Sequence, residues 1–286
     1  MSADISTSEA LRRAYARNVV ATARASGDER LEQAFASVPR ERHLGPGPWL
    51  TSGLFGALGT TGDLARIYRD ELIALDAARG INTGEPSLHA RWLHAARVQP
   101  GERVVHIGAG AGYYSAVLAE LVGPAGDVVA LEYDATLAAR ARAALADTPQ
   151  VALIHGDGAR WPRRETDLVY VNFAVERPAA AWIDALAPGG RLIFPLAAPD
   201  RGGSGIGFLV ERRGATFAAR ALDHVRFIRA QGGEGEFSEP GDRPALARAF
   251  AAGGVERVRS LIWRGPADPA RSWFVGRGWA LSFDPP

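Results

Sequence analysis

Apolar residues in this chain recur first at helical spacing and later in short, densely apolar runs, and the two patterns divide it into regions. From about Thr7 to Ala25 they fall at helical spacing, and Asp28, a side chain able to cap a helix, introduces a second helix running towards Ser37. The segment Val38-Pro39-Arg40-Glu41-Arg42-His43-Leu44-Gly45-Pro46-Gly47-Pro48-Trp49 is too rich in proline and glycine to continue a helix. It opens a stretch predicted to be irregular as far as about Gly84. Pro86 suits the first turn of a helix through Leu93 that stops before Pro100-Gly101.

Strand and helix patterns then alternate. Strands are predicted over 103–107, 127–131, 150–155, 166–171 and 191–196, and helices over 112–122, 135–146 and 179–186. Such alternation predicts a mostly parallel sheet covered by helices on both faces. Beyond Pro199-Asp200-Arg201-Gly202-Gly203 the pattern changes to strand-like runs at 207–211, 225–229, 258–263 and 273–283, with a helix at 244–252. This tail is expected to complete the sheet with antiparallel strands and add a small hairpin layer. Three regions follow: 1–80, helical and irregular, covering the site; 81–231, the α/β core; and 232–286, a C-terminal extension with a helix and a hairpin.

Composition narrows the chemistry. At 286 residues, 47% hydrophobic and 23% charged, the chain can bury a substantial core, and a formal net charge of +1 gives no bulk attraction to nucleic acid or to a membrane surface. Absence of cysteine excludes disulfides, thiolate metal sites and cysteine nucleophiles, and absence of lysine excludes Schiff-base chemistry. The histidines at 43, 89, 94, 106, 155 and 224 form no H-E-x-x-H pattern, so no metal is expected. The start, Met1-Ser2-Ala3-Asp4-Ile5-Ser6, lacks a basic region followed by an apolar core, and no apolar run approaches a membrane span of roughly 18 residues. The cytoplasm is the default expectation.

The run Val104-Val105-His106-Ile107-Gly108-Ala109-Gly110-Ala111-Gly112-Tyr113-Tyr114 carries the most chemistry, together with Val128-Val129-Ala130-Leu131-Glu132 beyond the next helix. A buried strand, a turn with glycine at alternate places, a helix, and a second strand ending in a carboxylate make a nucleoside-binding βαβ unit. Glu132 stands where an acid accepts hydrogen bonds from ribose hydroxyls. The dinucleotide fingerprint would need glycine at 113, where Tyr113 stands, and this speaks against an NAD-dependent oxidoreductase. G-x-G-x-G with a carboxylate about 20 residues further on looks like the S-adenosylmethionine site of class I methyltransferases. A plain tight turn is the alternative for the glycines alone.

Taken in order, several stretches resemble the protein L-isoaspartyl O-methyltransferase family over roughly 11–230: Val38-Pro39-Arg40-Glu41-Arg42 with Gly45-Pro46-Gly47, Ile81 to Ala90, Gly156-Asp157-Gly158, and Pro188-Gly189-Gly190-Arg191-Leu192 with Pro195. The resemblance implies a Rossmann-like class I methyltransferase, with a mostly parallel doubly wound sheet, N-terminal helices and a small C-terminal α+β extension. It implies S-adenosyl-L-methionine as donor, Glu132 on the ribose, Asp157 on the adenine amino group, Gly158 on the adenine edge, and Gly108 and Gly110 beside the methionine portion. His106, Ala109, Tyr113, Tyr133 and Asn172 complete the expected donor contacts, and Thr83, Glu85 and His89 are the expected catalytic residues, with His43 a further candidate base.

This chain departs from the family at His106, where an acid is usual, and at Gly84, where the family carries a hydroxyl that Thr83 would have to supply from the neighbouring position. Asn172 and Phe173 replace small residues. The expected activity is O-methylation of an aspartyl or isoaspartyl carboxylate in a peptide or protein. A small specialised metabolite as acceptor, and an inactive nucleoside-binding relative, are the alternatives. The chain lacks the N-P-P-[FY] signature of nucleic-acid amino methylation, having Asn172-Phe173-Ala174-Val175, and the sequence does not give the oligomeric state.

Overall fold

The computed structural model describes residues 2–52, 58–200, 203–233 and 235–286. Met1, Arg201 and Gly202, on which the readings of the start and of the tail boundary partly fell, lie outside the described residues. In chain order the elements begin with α1 (Ser2–Thr22), α2 (Glu29–Ser37), α3 (Glu41–Leu44), β1 (Trp49–Ser52), β2 (Leu58–Thr61), α4 (Leu64–Ile67), β3 (Leu72–Asp76) and β4 (Ile81–Asn82). There follow α5 (Pro86–Ala96), β5 (Arg103–Ile107), α6 (Tyr113–Val122), β6 (Asp127–Glu132), α7 (Ala135–Ala144), β7 (Val151–His155), β8 (Thr166–Val171) and α8 (Ala180–Asp184). The chain ends with β9 (Leu186–Ala197), β10 (Ser204–Arg213), β11 (Thr216–Arg226), α9 (Arg243–Ala252), β12 (Ser260–Trp263), β13 (Ser272–Gly276) and β14 (Trp279–Ser282). Contacts group these into two compact units, Met1–Glu102 with Ala109–His155, and Arg103–Gly108 with Gly156–Pro286.

In the first unit the expected helices form where capping and proline place them. The Asp28 carboxylate accepts the Leu31 N–H at the start of α2, the Asp134 carboxylate accepts the Leu137 N–H at the start of α7, and Pro86 opens α5. Tyr15, Phe35, Trp92 and Tyr113 are buried here, and β6 pairs in parallel with β7. The stretch expected to be irregular up to Gly84 contains an antiparallel sheet of strand order β2-β1-β3-β4. Its strands escaped the sequence reading because they are two to five residues long and mostly half-buried; in β1 only Thr51 is fully buried. Strands that short show no alternation to recognise.

In the second unit the strands run in the order β13-β14-β12-β11-β10-β9-β8-β5. β5, β8 and β9 are parallel, and every pairing beyond β9 is antiparallel. Tyr170, Trp182, Phe194, Phe208 and Trp279 are fully buried along it. Two expectations are corrected. The strand expected at 225–229 lies at Thr216–Arg226, an alanine- and charge-rich strand with one buried residue, Ala219. The late hairpin is no separate layer, because β14 pairs with β12 and continues the same strand order. Among the described residues no helix is long and apolar enough to cross a membrane, and no cluster of three or more histidine, aspartate or glutamate side chains is placed to hold a metal.

Candidate active site

The glycine run begins where β5 ends. Gly108, Gly110 and Gly112 take φ of +79°, +58° and +85°, backbone conformations that glycine adopts without strain. They differ in what surrounds them. A Cβ on Gly112 would come within 2.7 Å of Leu145, so this glycine lets α7 pack against the loop, whereas a Cβ on Gly110 would meet nothing nearer than Leu75 at 3.5 Å. Gly110 is therefore the open position of the first unit's part of the run.

Two side chains fix this loop. The Gly110 N–H donates to Glu132 Oε2 at 2.7 Å, and the Asp134 N–H donates to Glu132 Oε1 at 2.9 Å. Each carboxylate oxygen thus takes one main-chain N–H and keeps further acceptor capacity. Burial raises the Glu132 carboxyl above its ordinary value, while the N–H groups of Asp134 and Gly110 pull it back. On the loop's other side, buried His43 holds the Ala111 carbonyl through Nδ1 at 2.8 Å. Burial lowers its imidazole to about 4, so at neutral pH it is an uncharged donor bracing the loop, and the expectation of a base at His43 is corrected. Tyr113 is corrected likewise. Its ring lies edge-on to Phe35, His43 and Tyr114 and its hydroxyl reaches Tyr15 at 3.4 Å, so it packs against the N-terminal helices and leaves its main chain at the start of α6 for a donor. Tyr133, by contrast, is exposed beside Glu132.

The expected catalytic residues come together in the same unit. Arg40, fully buried, donates to the carbonyls of Ile67, Arg69 and Glu71 and to Thr83 Oγ1. Thr83 Oγ1 also accepts the Ile73 N–H at 3.1 Å and donates to the Gly84 carbonyl at 3.2 Å. Its hydroxyl is spent on the loop, and a role in replacing the missing one at Gly84 is not what this geometry offers. Glu85 Oε1 accepts the Ser87 hydroxyl at 2.9 Å where α5 begins, and Asp70 takes the Ser87 N–H at 2.8 Å. His89 is buried and stacks on Tyr114 with ring centroids 3.8 Å apart. Gly84 takes φ of +72°, and a Cβ there would fall 2.2 Å from His89 Nε2. The imidazole occupies the space that a side chain at position 84 would need.

In the second unit His106 is fully buried, and burial lowers it to about 3. Its Nε2 lies 2.7 Å from Asn172 Nδ2, and the Asn172 N–H donates to the Ile107 carbonyl. Asn172 Oδ1 is buried and, among the described residues, has no hydrogen-bond partner. Gly108 is covered rather than open, since a Cβ there would lie 2.8 Å from the Phe173 ring. Gly158 packs on β5 so closely that a Cβ would fall 2.1 Å from Ile107, and its carbonyl accepts the Trp182 indole N–H. Asp157 accepts the Ala159 N–H with one oxygen and the Gly233 N–H with the other.

Sequence reasoning placed Arg40 in a family-like stretch without giving it a role, and missed Asp70, Gly233 and Phe237. Phe237 packs on Phe173 and Trp182, and its carbonyl takes the N–H groups of Glu176 and Arg177. No periodic pattern marks these positions; Arg40 and Asp70 lie in the stretch expected to be irregular, and the other two in a glycine-rich connection.

A strand, an alternating-glycine turn and a helix, with a buried acid at the end of the next strand, on a Rossmann-like α/β fold, define a class I S-adenosylmethionine-dependent methyltransferase. A family profile described as Protein-L-isoaspartate(D-aspartate) O-methyltransferase (PCMT) matches residues 64–235. A protein-L-isoaspartate O-methyltransferase of Rhodopseudomonas palustris (strain BisB5) is 34% identical over 214 residues, covering 72% of this chain and 87% of the relative. One of Aeropyrum pernix is 37% identical over 131 residues, covering 44% of this chain, and this chain spans 50% of that relative's length. Among solved structures, a protein-L-isoaspartate O-methyltransferase matches with a TM-score of 0.65 at 24% identity, over 76% of this chain and 66% of that one. A Plasmodium falciparum structure described as such an enzyme in complex with S-adenosyl-L-homocysteine matches with a TM-score of 0.61 at 16% identity, over 77% of this chain and 98% of that one.

The chain belongs to the protein-L-isoaspartate(D-aspartate) O-methyltransferase family. Its fold is that of the family's solved structures, and as a member it is an S-adenosylmethionine-dependent O-methyltransferase.

Proposed function

We propose that this chain transfers a methyl group from S-adenosyl-L-methionine to the carboxylate of an isoaspartyl or aspartyl residue in a peptide or protein. The observation that carries the reading is Glu132, a buried carboxylate aimed by two main-chain N–H groups beside the open, positive-φ Gly110. In the first unit Glu132 would accept the ribose hydroxyls, with exposed Tyr133 beside it and the main chain of Ala109, Gly110 and Tyr113 supplying the loop. In the second unit Asp157 and Gly158 would read adenine. Asn172 Oδ1, a buried acceptor without a partner among the described residues, fits the donor's amino group in place of the acid that His106 replaces. Gly108 would serve through its main chain.

The bound donor supplies an electrophilic methyl on a sulfonium. A carboxylate acceptor, with an ordinary pKa near 4, is already ionised at neutral pH and needs orientation more than a base. Its oxygen forms the new bond to the methyl carbon as the carbon–sulfur bond breaks and the electron pair stays on sulfur, leaving a methyl ester and S-adenosyl-L-homocysteine. Beside the 83–85 segment, His89 packs on Tyr114 and fills the space at Gly84. Arg40 and Thr83 keep the loop in shape, and Glu85 holds the start of α5 through Ser87. Cytoplasmic residence belongs to the same reading and is checked by cell fractionation.

Incubation with labelled donor and isoaspartyl, aspartyl and small-acid acceptors tests the proposal. Base-labile label on the isoaspartyl peptide is the expected outcome, and base-stable label overturns ester formation. Donor binding with no transfer to any of these acceptors overturns the proposed acceptor.

A further inference from the structure

We propose that Arg79 is a positioning residue for the methyl donor, holding the β3–β4 hairpin against the turn that carries Glu132. The inference rests on the reading of Glu132 as the ribose contact.

The hairpin approaches the glycine loop at its stem and bonds the turn after β6 at its tip. At its stem, Leu75 Cδ1 lies 3.5 Å from the place a Cβ of Gly110 would take. Its tip turns through Ala77–Gly80, with the Gly80 N–H on the Ala77 carbonyl. From that tip Arg79 Nε donates to Asp76 Oδ2 at 2.6 Å, and Nη1 donates to Asp134 Oδ2 at 2.7 Å. Asp134 is two residues beyond Glu132 and is spoken for on every side: Oδ1 caps α7 on the Leu137 N–H, Oδ2 takes Arg79, and its own N–H aims Glu132 Oε1. Glu132 Oε2 in turn holds the Gly110 N–H. A continuous path thus runs Arg79, Asp134, Glu132, Gly110, all within the first unit.

The guanidinium consequently does two things. It keeps Leu75 seated by Gly110, so the hairpin borders the glycine loop, and it fixes the second oxygen of Asp134, so the N–H that orients Glu132 is held still. The pair is partly exposed, with Arg79 at 41% and Asp134 at 18% side-chain exposure. Salt therefore screens it, and its influence on fold stability is slight. Its effect belongs in donor retention.

Calorimetric titration of S-adenosyl-L-homocysteine into wild type, Arg79→Ala, Arg79→Lys and Glu132→Gln at low and high salt tests this. Arg79→Ala is expected to weaken binding about threefold at low salt. The difference should vanish by about 0.5 M salt, where screening is short-ranged. Arg79→Lys should restore most of the loss, the KM for the acceptor should stay at its wild-type value, and the melting temperature should not move. An Arg79→Ala protein that binds as wild type at both salt levels, while Glu132→Gln is weakened tenfold or more, overturns the role of Arg79 alone. Wild-type binding by Glu132→Gln overturns the ribose reading and this inference with it.

Discussion

Gly84 and His89 act as one position. The imidazole fills the volume in which any Cβ at residue 84 would sit, and its stacking on Tyr114 leaves it little room to withdraw. Gly84→Ala therefore combines a clash with positive-φ strain, and should destabilise the protein by roughly 1–3 kcal/mol and cut methyl transfer more than tenfold, measured by urea unfolding and labelled-methyl assay. Glu132 has its own pH dependence. Because burial lifts its carboxyl, protonation sets in at higher pH than for an ordinary glutamate, and donor affinity should fall on acidification before the usual carboxylate range is reached. The sign for stability is opposite, since a raised carboxyl makes the ionised form a cost to folding that grows as pH rises. Calorimetry across pH 7 to about 5 checks the binding half, with the Glu132→Gln profile expected to be flat over that range.

Local signals and long-range contacts contributed differently to the elements. The cap at Asp28 was legible because aspartate before an apolar helical run has a defined local partner, here the Leu31 N–H, and the fold adds a second, His94 Nδ1 at 2.7 Å from Asp28 Oδ2. Asp28→Ala should cost about 1–2 kcal/mol by denaturant unfolding while leaving affinity for S-adenosyl-L-homocysteine unchanged. The β3–β4 hairpin and its neighbours were not legible. Their strands are short and mostly half-buried on both sides, so no alternation marks them, and the carbonyls of Ile67, Arg69 and Glu71 leading into β3 are gathered by Arg40, a long-range contact that leaves no period in the sequence. β11 was misplaced for a related reason: alanine, arginine and aspartate make a poor strand signal, and pairing with β10 over most of its length overrides that propensity.

For the whole molecule, the buried histidines set the response to acid. His43 and His106 are lowered to about 4 and about 3, against about 6.5 for an unfolded histidine. The native state then binds fewer protons than the unfolded one below pH about 6.5, so stability is fully present above that pH and is lost as pH falls towards the folded values. Each such histidine should add a slope of up to about 1.4 kcal/mol per pH unit in this window. His106→Gln should remove about one proton of the slope when urea midpoints are compared at pH 7.5 and about 5.5.

The amino-acid sequence by itself determined the alternation of strands and helices from 103 to 196, the glycine run, the acid at 132 and the family, because each depends on local periodicity, backbone freedom or short-range order along the chain. Tertiary structure alone decided that Tyr113 and His43 brace the loop, that Thr83 spends its hydroxyl on Arg40 and the main chain, and that His89 fills the place of Gly84. Those outcomes follow from which buried polar groups find partners and which volumes are already filled, and both are settled by residues far apart in the chain.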